Sequence, residues 1–142
     1  MAWKAYNTTR TANIDQTAQQ LILEAKKRDR DSLNQAFKMR ETVAYGLERF
    51  WGEHLRLQAK EPNKSLYWKE TWDALVEIMK NAGITIPNDV VNVNNTTAVE
   101  SMAQKLWKIS REDQRIISAV LSQLCDALVW WTQRYKGTSS SS

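Results

Sequence analysis

The stretch from Ser110 to Gly137 reads SREDQRIISAVLSQLCDALVWWTQRYKG. Its apolar residues Ile117, Val120, Leu121, Leu124, Leu128, Trp131 and Tyr135 recur at steps of three and four, which lines them along one face of a helix. Ser110, with Asp113 three residues on, supplies the start of that helix, and Gly137 its close. Trp130 and Trp131 sit side by side, and neighbours on a helix point about 100° apart. Both rings cannot enter one core. Trp131 continues the apolar stripe and is assigned to the core. Trp130, with Arg134 one turn on, either packs on another helix of its own bundle, stacks on a base, or contacts another protein, and the contact with another protein is the expectation carried forward.

Working outward, Val99, Met102, Ala103, Leu106 and Trp107 predict a preceding helix, opened by a T-x-x-E capping box at Thr97 and Glu100. Before it, ITIPNDVVNVNNTT (84–97) is the one stretch without helical period, and it is expected to be an ordered loop whose Val90, Val91 and Val93 pack on the bundle or on a neighbour. Trp68, Trp72, Leu75, Val76 and Met79 predict a helix capped by Asn63 or Ser65 and closed by Gly83. Leu33, Phe37, Ala44, Leu47, Trp51 and Leu55 predict a long helix that runs from Leu33 to Lys60 and stops before Pro62. Ile14, Ala18, Leu21, Ile22 and Ala25 predict the first helix. The run KKRDRDS (26–32) is either a turn, with Asp31 or Ser32 capping the next helix, or a solvated stretch of one longer helix. The expectation is an all-α compact bundle of four to five helices, with one ordered loop around 84–97. A tail is expected at 1–13, a single domain at 14–137 and a disordered Ser-rich tail at 138–142.

The chain has 142 residues, 42% hydrophobic and 25% charged, the balance of an ordinary globular protein. Cys125 is the sole cysteine, so no intramolecular disulfide can form. The opening MAWKAYNTTRTAN has no apolar leader run, and no segment approaches the length that spans a bilayer. A cytoplasmic setting with no membrane contact is expected. Net charge is +4, which permits an anionic partner without demanding one. Seven tryptophans are several times ordinary usage, and those outside the core are candidates for contact with another molecule.

Catalytic chemistry is sparse. His54 is the only histidine and is read as a structural imidazole. Cys125 is read as a small buried hydrophobe. Glu70, Asp73 and Glu77 share a helix face, and a carboxylate metal site there is the one enzymatic alternative. No glycine-rich phosphate loop is present. The chain is expected to be no enzyme and to need neither cofactor nor metal.

Cations recur instead. Plotted on one helix, Lys38, Tyr45, Arg49, Gly52, Arg56 and Lys60 fall on a line opposite the apolar stripe, with Glu41 and Glu53 flanking it. Such a row can track a phosphate backbone. Gly52 would allow close approach, and Tyr45 can stack on a base. Lys105, Lys108, Arg111 and Arg115 form a second basic group at the last helix–helix junction. An ordinary solvated face is the competing explanation, and a protein-only helical adaptor the competing function.

The closing segment LCDALVWWTQRYKG (124–137) resembles the last helix of the small subunit of type III CRISPR effector complexes. The likeness lies in its acidic-Ala-Leu-Val-aromatic core and basic-aromatic-Gly ending, and covers about a tenth of the chain. It implies a non-catalytic subunit in an RNA-guided complex. Its partners would be crRNA and target RNA (or a displaced DNA strand), the backbone and large subunits, and further copies of itself.

Overall fold

A computed structural model describes the backbone of residues 2–140 and the side chains of residues 14–136. Six α-helices occur among the described residues: α1 (Ala2–Arg28), α2 (Gln35–Thr42), α3 (Leu47–Leu57), α4 (Pro62–Asn81), α5 (Thr96–Trp107) and α6 (Arg111–Ser140). Short 3-10 turns at Arg30–Asn34 and Val43–Tyr45 lead into α2 and out of it. No strand occurs among the described residues. The all-α class stands, and the helix count of four to five is corrected to six.

The extra helix comes from one glycine. The single helix expected from Leu33 to Lys60 breaks at Gly46, whose φ of 102° and ψ of 168° lie in a region that only glycine enters without strain. The backbone turns there, and α3 starts in a new direction. At the other end, Ala2–Arg28 is one continuous helix, so residues 2–13, expected as a tail, carry helical backbone. Once a helix is nucleated, each added residue gains a hydrogen bond, so propagation needs no apolar stripe of its own. Helical backbone also reaches Ser140, within the expected Ser-rich tail, whose last two residues lie outside the described range.

Three caps differ from expectation. Asp29, rather than Asp31 or Ser32, accepts from the Asp31 N–H at 3.0 Å. Asn95, rather than Thr97 and Glu100, caps α5 by accepting from Ala98 N–H at 3.1 Å. Helix α4 opens on Glu61 and Pro62, with proline in the first turn where its missing N–H costs nothing. The Ser65 hydroxyl instead donates to the His54 carbonyl at 2.6 Å and ties α4 to α3. Ser110 caps α6 as expected, accepting from Asp113 N–H at 3.1 Å.

Helix α1 lies against α6 and α4, α2 against α6, and α3 against α4 and α5. The centre is aromatic. Phe50 sits 4.9 Å from Trp68 and 6.3 Å from Trp72 between ring centroids, and Trp51 and Tyr67 are buried beside them. Trp68 Nε1 donates to Gln35 Oε1 at 2.9 Å, which satisfies an indole N–H that burial would otherwise penalise. Burying each such side chain stabilises the fold by roughly 1.5–3 kcal/mol. The surface pair Arg40–Asp126, 2.5 Å apart and about half exposed, is worth at most about 1 kcal/mol. Packing therefore decides the fold, and the ion pairs trim it.

The segment 84–95 is non-helical yet held at many points. Ile86 and Val91 are buried, whereas Val90 is 93% and Val93 38% exposed. The Gln58 amide clasps the extended backbone, donating to Val91 O at 3.4 Å and accepting from Val93 N–H at 2.9 Å. Asn88 donates to Asp73 at 2.9 Å, and Lys105 to Asp89 at 2.6 Å. Of the three valines expected to pack, Val91 does so on its own bundle, and Val90 faces outward.

Candidate nucleic-acid interface

The break at Gly46 decides how the basic residues are grouped. Lys38 and Tyr45 precede it, Arg49, Gly52 and Arg56 follow it on α3, and Lys60 lies in the turn after α3. The single line expected across one helix does not exist. Lys38, Tyr45 and Arg49 are nonetheless brought together, lining one shallow groove with Glu41, Thr42 and Glu53. The Arg49 guanidinium lies 5.8 Å from the Tyr45 ring centroid, a cation–π contact that holds both side chains out from the bundle. Tyr45 is 69% exposed.

Arg56 pairs with a neighbour on its own helix. Its Nε and Nη2 donate to the Glu53 carboxylate at 2.8–3.1 Å, and that bond raises its pKa further. Lys60 lines a separate hollow with Asp29, Glu61 and Lys64. Glu61 accepts from Lys64 at 2.8 Å, a bond that holds the carboxyl below the usual range. A Cβ built on Gly52 would meet only Glu48 Oε2, at 3.6 Å, so the helix surface there is open but not uniquely suited to glycine.

A second groove, of about 330 Å³, opens on the other side of Tyr45. Tyr45, Gly46, Leu47, Glu48 and Arg49 form one wall, and Leu106, Trp107 and Gln114 the other. Trp107 is the last residue of α5 and is 60% exposed, because the chain turns away into α6 and leaves nothing to cover the ring. Gln114 Nε2 donates to Ile109 O at 2.7 Å and fixes that wall. Lys108, Arg111 and Arg115 are exposed around the same α5–α6 corner, while Lys105 is drawn off to Asp89. The groove thus carries Arg49 and an exposed aromatic from each of two elements, and the second basic group follows Trp107 in the chain.

The closing helix presents a different surface. Trp130 is 53% exposed and stands edge-on to Trp131, at 4.9 Å and 86°. Arg134 lies 5.3 Å from the Trp130 centroid and 5.7 Å from that of Trp131. Trp131 is half-buried and stacks on Tyr135 at 5.8 Å, so it flanks the core rather than filling it.

The residues considered for chemistry are engaged elsewhere. His54 is buried, its Nδ1 2.5 Å from Trp51 O, and burial lowers its pKa. Cys125 is buried, and loss of solvation pushes its thiol up to about 12. Glu70 pairs with Arg28 at 3.0 Å, and Asp73 with Lys69 and Asn88. No group of three His, Cys, Asp or Glu placed to hold a metal exists among the described residues, so the Glu70–Asp73–Glu77 alternative finds no converging ligands. No helix among the described residues is long and apolar enough to cross a membrane.

Comparison with known proteins finds no matching family model, no matching curated protein and no matching solved structure.

Proposed function

We propose that this chain is a non-catalytic, RNA-contacting subunit of a cytoplasmic ribonucleoprotein assembly, and specifically a small subunit of a type III CRISPR effector complex. One observation supports the RNA contact above all. Arg49 lines a groove that carries exposed Tyr45 and Trp107, Lys38 lines the adjoining groove on the other side of Tyr45, and Lys108, Arg111 and Arg115 are exposed on the chain that follows Trp107. Cations near stacking rings are what a phosphate backbone with accessible bases requires. The assignment to the CRISPR assembly rests on the resemblance of residues 124–137. In that role the chain touches guide and target RNA, or a displaced DNA strand, together with the backbone and large subunits and further copies of itself. Trp130 with Arg134 is the candidate protein contact. Cleavage belongs to other subunits.

Affinity purification of the tagged full chain from its own cells tests this. Co-recovery of short guide RNAs and effector subunits is expected. Recovery of protein partners with no RNA would replace the proposal with the protein-only adaptor, for which exposed Trp130 is the anchor.

A further inference from the structure

Phosphate contact alone would not need two exposed aromatics on facing walls. Tyr45 and Trp107 are each more exposed than any of the other described tryptophans, three of which (Trp51, Trp68 and Trp72) are at most 1% exposed. The molecule buries indoles where it can, and Trp107 stays out at 60%. Gly46 provides the geometry. A Cβ there would meet nothing within 4 Å, so glycine is required by its φ of 102° and not by crowding. That φ ends the 3-10 turn at Tyr45 and sets the ring at the lip of the groove, opposite Trp107.

We propose that this groove is a stacking site for unpaired bases, so that the chain holds single-stranded RNA in preference to duplex. The inference rests on the RNA-contacting function proposed above and narrows its ligand. Bases in a duplex are stacked on each other and offer no free faces along the helix. A single strand can place successive bases on Tyr45 and Trp107. Arg49, held over the Tyr45 ring, takes the phosphate beside the first base. Lys108, Arg111 and Arg115, exposed on the chain after Trp107 and outside the groove lining, take those beyond the second. Glu48, on the same wall as Tyr45 and Arg49, repels phosphate from the groove floor, so the strand crosses with its bases inward and its backbone toward the exposed cations.

The test uses the full chain with a fluorescently labelled oligouridylate and a blunt RNA duplex of the same length, with affinities measured across a range of salt. Both rings are exposed, so Tyr45→Ala and Trp107→Ala keep the wild-type melting temperature. Each weakens oligouridylate binding by roughly five- to a hundredfold, as loss of one stacked base does. Neither changes the slope of log affinity against log salt, because no phosphate contact is lost. Trp107→Phe retains most of the affinity, and the duplex binds more weakly and indifferently to these changes. Salt-dependent RNA binding with no loss in either alanine variant, or equal affinity for duplex, would overturn the stacking site while leaving the RNA-contacting function. Absence of salt-dependent binding to either RNA would overturn both.

Discussion

Arg49 and Tyr45 stand on opposite sides of a helix break, and the guanidinium nevertheless comes to rest 5.8 Å from the tyrosine ring. Residues four apart also meet on an unbroken helix. Here Gly46 intervenes, and the pair projects into two grooves at once, with Lys38 on one side and Trp107 on the other. The break turns a solvated helix face into a concave one.

The backbone at Gly46 can be tested against a second glycine in the same stretch. Gly46→Ala forces a Cβ into a φ of 102° and ψ of 168°, and is expected to cost about 1–3 kcal/mol. Gly52 lies within α3, where an added methyl meets only Glu48 Oε2 at 3.6 Å. Gly52→Ala should therefore stabilise by about 0.5–1 kcal/mol through helix propensity. Urea unfolding of the two variants should move the midpoint in opposite directions.

The tryptophans divide between core and surface. Trp72 is fully buried against Phe50, and Trp72→Ala is expected to destabilise by about 3–5 kcal/mol. Trp130→Ala removes a half-exposed ring, its edge contact with Trp131 and its cation–π contact with Arg134, a loss of about 1–2 kcal/mol. Trp131→Ala falls between them, since its ring is only half-buried. Thermal melts of the full chain rank the three. A Trp130 variant as unstable as the Trp72 variant would make Trp130 a structural residue and remove it as a partner contact.

His54 links stability to pH. Burial, the largest influence, lowers its folded pKa below the ordinary 6.5. The unfolded chain therefore takes up the proton first as pH falls. Stability from this group is fully present above the unfolded value and is lost as pH drops below it. His54→Asn should flatten the dependence of unfolding free energy between about pH 7 and pH 5. An unchanged pH profile in the variant would show that the imidazole titrates alike in both states.

The helical class was legible because the apolar residues of most segments fall at three- and four-residue steps, most plainly from Ile117 to Tyr135. The break at Gly46 was not, because Phe37, Ala44, Leu47 and Trp51 stay in phase across it. A single glycine inside a helical pattern costs only about 1 kcal/mol, too little to overrule that phase. Trp107 was missed for a related reason. It stands four residues after Ala103 and so falls on the α5 stripe, but α5 ends there and no neighbouring helix reaches over the ring. Periodicity reports which face a residue is on; it does not report where the covering helix stops. Arg56 pairs with Glu53, three residues earlier on the same helix, a pairing visible in the spacing.

The salt dependence of RNA affinity tests the central claim most directly. For the wild-type chain, log affinity for single-stranded RNA should fall linearly with log salt. The triple variant Arg49→Glu, Arg111→Glu, Arg115→Glu should bind more weakly, with the slope reduced by about 2, the loss of three phosphate contacts on a single strand. A wild-type chain whose RNA retention is indifferent to salt, or a triple variant with an unchanged slope, would contradict the assignment of this groove to a phosphate backbone.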